Sequence, residues 1–149
     1  VQIPSYKWFQ DCEILKYVYD MKLPATDYYN FAFAFCYELE TIEMIRSNQA
    51  SDFSDAFEEC YKLKNITFDG IIGNDINFQY SPLTIESMKN IVSHLANYSG
   101  TENAATYTLT FTDACWEALE ASGKPYDDGL TTDETLTWKN YVISLGWNV

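Results

Sequence analysis

The chain has 149 residues, 47% of them apolar and 17% aromatic, with a formal net charge of −13 at pH 7. That length and apolar content suit one folded domain with a continuous core and exclude a disordered chain. Nucleic-acid affinity rests on Lys and Arg displacing counterions, so 22 acidic against 9 basic residues leave nucleic acid and anionic membranes as poor partners. The longest apolar stretches, such as Phe31–Cys36, fall far short of a bilayer span, so no membrane insertion is expected.

From its start to residue 68 the sequence repeats itself with a 24-residue period. Cys12-Leu15-Val18, Cys36-Leu39-Ile42 and Cys60-Leu63-Ile66 each spell CxxLxxΦ, and Phe9, Phe33 and Phe57 stand at one fixed offset before the cysteines. Ala32 and Ala56 precede the later two phenylalanines, where the first copy has Trp8. Such a period marks stacked supersecondary units, none of which buries its apolar face without its neighbours. The chain opens at Val1 inside a repeat-like phrase with no initiator methionine, and is read as the C-terminal piece of something longer.

A small soft residue recurring at one inward position reads as a column of buried free thiols. Stacked units would also hold equivalent Cα atoms about 5 Å apart, within disulfide range. Zinc is the weaker reading, because no CxxC pair occurs and the only histidine, His94, lies elsewhere. The redox compartment stays open.

After each CxxL step the residues alternate as a strand: Tyr17-Val18-Tyr19, Thr41-Ile42-Glu43-Met44 and Asn65-Ile66-Thr67-Phe68. A period of two sends Val18, Ile42, Met44, Ile66 and Phe68 to the core and shows Tyr17, Tyr19, Thr41, Glu43, Asn65 and Thr67 to solvent or a partner. The strands are expected to be parallel rungs. Between them the chain returns through Met21–Tyr28, where Pro24 rules out a helix interior, and Asp52–Glu59, which suits a short helical turn. Turn signals at Asp69-Gly70 and Gly73-Asn74 precede another alternating stretch, Asp75–Gln79, which fits either a shortened rung or an antiparallel hairpin.

From Thr84 the texture changes. Thr84 suits an N-cap, with Ile85, Met88, Ile91, Val92, Leu95 and Tyr98 at helical spacing and Gly100 as the stop. Tyr107–Thr112 alternates as a strand. Thr112 or Asp113 caps a second helix carrying Cys115, Trp116 and Leu119 up to Gly123, and Pro125 enforces its end. An acidic loop then leads to a third helix with Trp138, Tyr141, Val142 and Leu145 on one face, closed by Gly146, and Trp147-Asn148-Val149 suits a last short strand. Open solenoid ends expose apolar surface, so residues 84–149 are expected to form a cap.

The phrase running from Ala56-Phe57 through Cys60 and Leu63 to Ile66 resembles the BspA-like, or treponemal, class of bacterial leucine-rich repeats, over about half of the chain. Ser81–Ser87 leading into a helix, then Trp138-Lys139-Asn140-Tyr141 and Leu145-Gly146-Trp147, resembles the C-terminal segment of such proteins in gut bacteria and their phages. The resemblance implies an α/β fold: a leucine-rich-repeat-like solenoid of parallel strands over 1–83, continuous with an α/β C-terminal cap over 84–149. It also implies a surface-exposed or virion-borne recognition scaffold, with no catalytic residues to carry over. Trp8 and Asp20 depart from the family's preference for small and apolar residues there.

Ingredients for catalysis are few. His94 lies beside the apolar stripe of its helix, near Asn90 and Tyr98, and reads as a helix-flank residue rather than a base. A glycosidase needs two carboxylates about 5 to 10 Å apart; Glu43 and Asp69 share a face, yet 22 acidic residues make such coincidences cheap. Asp127-Asp128-Gly129 with Asp133-Glu134 lacks the alternating ligands of an EF-hand loop and reads as a solvated loop. The sequons Asn65-Ile66-Thr67 and Asn97-Tyr98-Ser99 are treated as incidental. No enzyme activity, metal or cofactor is therefore expected.

The exposed strand face carries more weight. Tyr17, Tyr19, Thr41, Glu43, Asn65 and Thr67, continued by Asn77 and Gln79, combine rigid aromatic area with amides and hydroxyls, a mixture suited to protein or sugar surfaces. The expected function is a non-enzymatic recognition module at a bacterial surface or on a phage particle. The alternative is a structural or receptor-binding part of a virion or filament, docking through a solenoid end. A hydrolase is the third reading.

Overall fold

The computed structural model describes residues 7–19 and 27–149. Asp20 and Pro24, and with them most of the Met21–Tyr28 return, lie outside the described residues. Three strands, β1 (Tyr17–Val18), β2 (Thr41–Ser47) and β3 (Asn65–Gly70), form a parallel sheet in that order. Tyr17 stands opposite Thr41 and Thr41 opposite Asn65, so the period of the sequence sets the register of these strands. Leading into each strand is a series of tight turns. Lys7, Phe31 and Asp55 have positive φ, as do Asp11, Phe35 and Glu59, each trio at equivalent positions of successive copies. Left-handed backbone is costly for a residue with a Cβ. Here it is held by bonds between copies: Phe9 N–H donates to Ala32 O at 2.7 Å and Phe33 N–H to Ala56 O at 3.0 Å. The helical turn expected within Asp52–Glu59 is accordingly replaced by these non-helical turns.

The core runs under the turns as a stack of rings. Phe9, Phe33, Phe57 and Phe78 follow one another with centroids 5.4, 6.0 and 4.6 Å apart, and Phe111 and Trp116 extend the series. Beside it, the Cys36 thiol donates to Phe9 O at 2.9 Å and the Cys60 thiol to Phe33 O at 3.1 Å. All four cysteines are free. Burial pushes the Cys36 and Cys60 thiols up to about 12, because an ionised sulfur there would have no water.

The expected solenoid over 1–83 is not the architecture the chain adopts. The fold is a small α/β arrangement with one three-stranded parallel sheet, one two-stranded parallel sheet and three helices among the described residues. Two physical causes stop the repeat from propagating. First, β4 (Ile76–Phe78) leaves the β1–β3 sheet and pairs in parallel with β5 (Leu109–Phe111), so it is neither a fourth rung nor half of an antiparallel hairpin. Second, helix α1 (Ile85–Ser93) occupies the outer edge of β3. Its Ser87 hydroxyl accepts from Ile66 N–H at 2.9 Å and its Asn90 side chain from Phe68 N–H at 2.8 Å, satisfying donors that a further strand would need.

Met44 is also not in the core. A bulge between Ile42 and Ile45 sets Ile45, not Met44, opposite Phe68; Met44 has φ +61° and is exposed.

The C-terminal elements start where their caps require. Thr84 accepts from Ser87 N–H to open α1, and Thr112 from Cys115 N–H to open α2 (Asp113–Ala121). Thr137 opens α3 (Trp138–Ser144), where the Glu120 carboxylate also accepts from Trp138 and Lys139 N–H at 3.0 and 2.9 Å. Helix α1 ends at His94 rather than near Gly100. Leu95 is drawn into a bridge with Ile72, and the Tyr98 hydroxyl donates to Gly73 O at 2.7 Å, so tertiary bonds outcompete further helical turns. Gly73 must be glycine for this packing, since a Cβ there would stand 2.2 Å from Gln49 O. The terminal strand reduces to one bridge, Thr108 with Asn148.

Candidate functional site

Two outward surfaces carry the features a binding site needs. The first is the exposed face of the β1–β3 sheet. Tyr17 and Tyr19 are 49% and 58% exposed and stack on each other with centroids 5.9 Å apart and planes 15° from parallel. The pleat aligns Tyr17, Thr41 and Asn65 in one row. Asn65 Nδ2 donates to Thr41 Oγ1 at 3.3 Å, and its Oδ1 lies 3.5 Å from Thr84 Oγ1. In the next row the bulge leaves both Glu43 and Met44 exposed, and Met44 N–H donates to Thr67 Oγ1 at 3.0 Å.

The structure thus brings together six of the eight expected residues: Tyr17, Tyr19, Thr41, Glu43, Asn65 and Thr67. Asn77 and Gln79 do not continue this face. Because β4 pairs with β5 and not with β3, they line a small cleft with Asp55, Glu58 and Tyr80.

That cleft adjoins the second surface, which alternation along strands does not find. Tyr37 and Tyr61 follow the cysteines of successive repeats directly and stack at 6.2 Å with planes 13° apart; Tyr80 meets Tyr61 edge-on at 5.6 Å. The sequence signal is the recurrence of Cys-Tyr at 36–37 and 60–61. The Tyr37 hydroxyl is pushed above its ordinary value by desolvation first, then by the carboxylates of Glu59, Glu13 and Asp11. Desolvation and Glu59 do the same to Tyr61. Beside the column, Lys62 donates to both Glu38 carboxylate oxygens at 2.6 and 2.7 Å, and this hydrogen bond holds the Glu38 carboxyl below its usual range.

The residues weighed for catalysis or metal binding are engaged elsewhere. Asp69 pairs with Arg46 across the β2–β3 register at 3.9 Å. His94 Nδ1 lies 2.7 Å from Asn90 O, one helical turn back. In the acidic loop, Asp127 accepts from Lys124 N–H, Asp128 pairs with Lys89 at 2.6 Å and Asp133 accepts from Thr135. Among the described residues no group of three or more His, Cys, Asp or Glu side chains converges as a metal site would require. No described helix is long and apolar enough to cross a membrane.

No family model matches the chain, and no curated protein or solved structure matches it significantly.

Proposed function

We propose that this chain is a non-enzymatic recognition module that binds protein or carbohydrate through the outer face of β1–β3, displayed on a bacterial cell surface or a phage particle. One observation carries the reading: the stacked Tyr17–Tyr19 pair shares one sheet face with the Thr41 hydroxyl and Asn65 amide, held in register, and with the Glu43 carboxylate, exposed at the bulge. Paired tyrosines give contact area at little rotamer cost, and groups already oriented by hydrogen bonds lose little further entropy on binding. The bacterial or phage setting rests on the resemblance of the Cys-x-x-Leu phrases and of the tail. The test is binding of the chain to whole bacterial cells and to glycan arrays. Changing Tyr17 and Tyr19 to Ala and Glu43 to Gln together is expected to weaken binding at least about tenfold, as loss of aromatic anchors does; unchanged binding removes this face from consideration.

The second reading, a filament or virion subunit docking end to end, has one observation in its favour. At the β1 end Ile14 is 89% exposed, and Trp8, Phe9, Cys12 and Leu15 are only partly buried. Head-to-tail growth needs two open ends, however, and the edge of β3 is already taken by Ser87 and Asn90 of α1. Light scattering over a hundredfold concentration range is therefore expected to show no open-ended polymer; polymers growing with concentration would favour the structural role.

A further inference from the structure

The strand face leaves the column Tyr37–Tyr61–Tyr80 unused, and its surroundings differ in kind. Tyr61 is half exposed and Tyr80 more than a third. Carboxylates surround the rings: those of Glu59, Glu13 and Asp11 are near enough to push the Tyr37 hydroxyl up, that of Glu59 does the same at Tyr61, and Asp55 and Glu58 line the cleft with Tyr80. Between described residues the ion pairs are Arg46–Asp69, Lys62–Glu38 and Lys89–Asp128, so no described cation pairs with any of these five carboxylates. Elsewhere the chain lays its own cations over rings: Lys89 Nζ stands 5.5 Å from the Trp138 centroid and Lys139 Nζ 5.4 Å from that of Trp116. Among the described residues the tyrosine column has aromatic faces and counter-charges but no such cation.

We infer that the Tyr37–Tyr61–Tyr80 column and its carboxylate rim form a docking surface for an arginine-bearing peptide segment of a partner protein. Ring faces attract a cation through their quadrupole, and a guanidinium both stacks flat on tyrosine and pairs with a carboxylate in two-point fashion. Successive rings about 6 Å apart match side chains of alternate residues along an extended peptide, which repeat at about 6.5–7 Å. A lysine offers the same charge without the planar stack, so arginine is the better occupant. The acidic excess of the whole chain would speed the encounter without deciding where it ends.

The experiment is calorimetric titration of the full chain with a Gly/Ser-spaced peptide carrying four arginines, and with its lysine counterpart, at about 0.15 M salt. The arginine peptide is expected to bind several-fold tighter than the lysine peptide. Tyr37→Leu with Tyr61→Leu is expected to lower arginine-peptide affinity about tenfold and to erase its advantage over lysine. Glu13→Gln with Glu59→Gln should cost about as much, whereas Glu102→Gln with Glu117→Gln, an equal charge change elsewhere, should cost less than twofold. Circular dichroism of each variant reports whether it folds, and the tyrosine ring resonances of the unaltered chain should shift at Tyr37, Tyr61 and Tyr80 on titration. Equal losses from both charge pairs, equal affinity for both peptides, or resonance shifts elsewhere would overturn the assignment. The Tyr17, Tyr19 and Glu43 changes should leave this binding intact, so its failure and that of the strand-face reading are separable.

Discussion

Replacing Phe57 by alanine is expected to destabilise the fold by about 3–5 kcal/mol, a large share of the roughly 5–15 kcal/mol that holds a typical domain. Phe57 is 1% exposed and its ring lies between Phe33 and Phe78, with Phe53 at 6.4 Å. Truncation would leave a void bounded by rings that the stacked backbone turns hold in place, so little collapse can refill it. The same change at Phe9, which is only partly buried at the end of the stack, should cost roughly half as much, because part of its surface is already in water. Urea unfolding followed by circular dichroism measures both. Equal costs at Phe9 and Phe57 would mean that the column does not act as one core graded by depth.

The contrast between these two positions shows where the sequence was readable. The CxxLxxΦ phrase and its phenylalanines mark inward positions by recurrence, and Phe33, Phe57, Cys36, Cys60, Leu39, Leu63, Ile42 and Ile66 are all buried. The recurrence also set strand register, since residues one period apart, such as Ile42 and Ile66, are partners. It did not reveal where the repeat ends. That depends on Ser87 and Asn90, whose side chains meet β3 only once α1 has folded against it, and on β4 finding its partner in β5, beyond the whole of α1. Such long-range competition leaves no local pattern. The bulge at Met44 is hidden for the same reason: Thr-Ile-Glu-Met alternates well, and only the pairing of Ile45 with Phe68 shows that an extra residue has entered the strand.

The candidate site divides along the same line. Tyr17, Tyr19, Thr41, Glu43, Asn65 and Thr67 were legible because a pleated strand points alternate side chains one way. Asn77 and Gln79 were misplaced because their strand joins another sheet. The tyrosine column was missed because Tyr37 and Tyr61 sit in the turns before the strands, where no fixed period assigns a face, although their own recurrence after Cys36 and Cys60 was visible.

Alkali should unfold this protein through its thiols. Cys36 and Cys60 have ordinary thiol values of 9.0 when unfolded and are raised to about 12 in the fold, chiefly by burial. Below pH 9 each thiol is protonated in both states, so its contribution is fully present and independent of pH. Above pH 9 the unfolded chain releases the proton while the folded chain keeps it, so stability falls until pH passes about 12. At pH 11 linkage gives a loss of about 3 kcal/mol for each thiol, on the order of the whole margin when both act. Tyr29, raised from 10.0 to about 12 by burial, adds to the loss above pH 10. Changing Cys36 and Cys60 to Ala together separates this effect from general charge repulsion. The double variant should be weaker at pH 7, where it lacks two packed sulfurs and their bonds to Phe9 and Phe33 carbonyls, yet its urea midpoint should fall much less between pH 9 and 11. Parallel losses in the two proteins over that range would show that the sulfurs titrate in water, which the burial of both side chains does not allow.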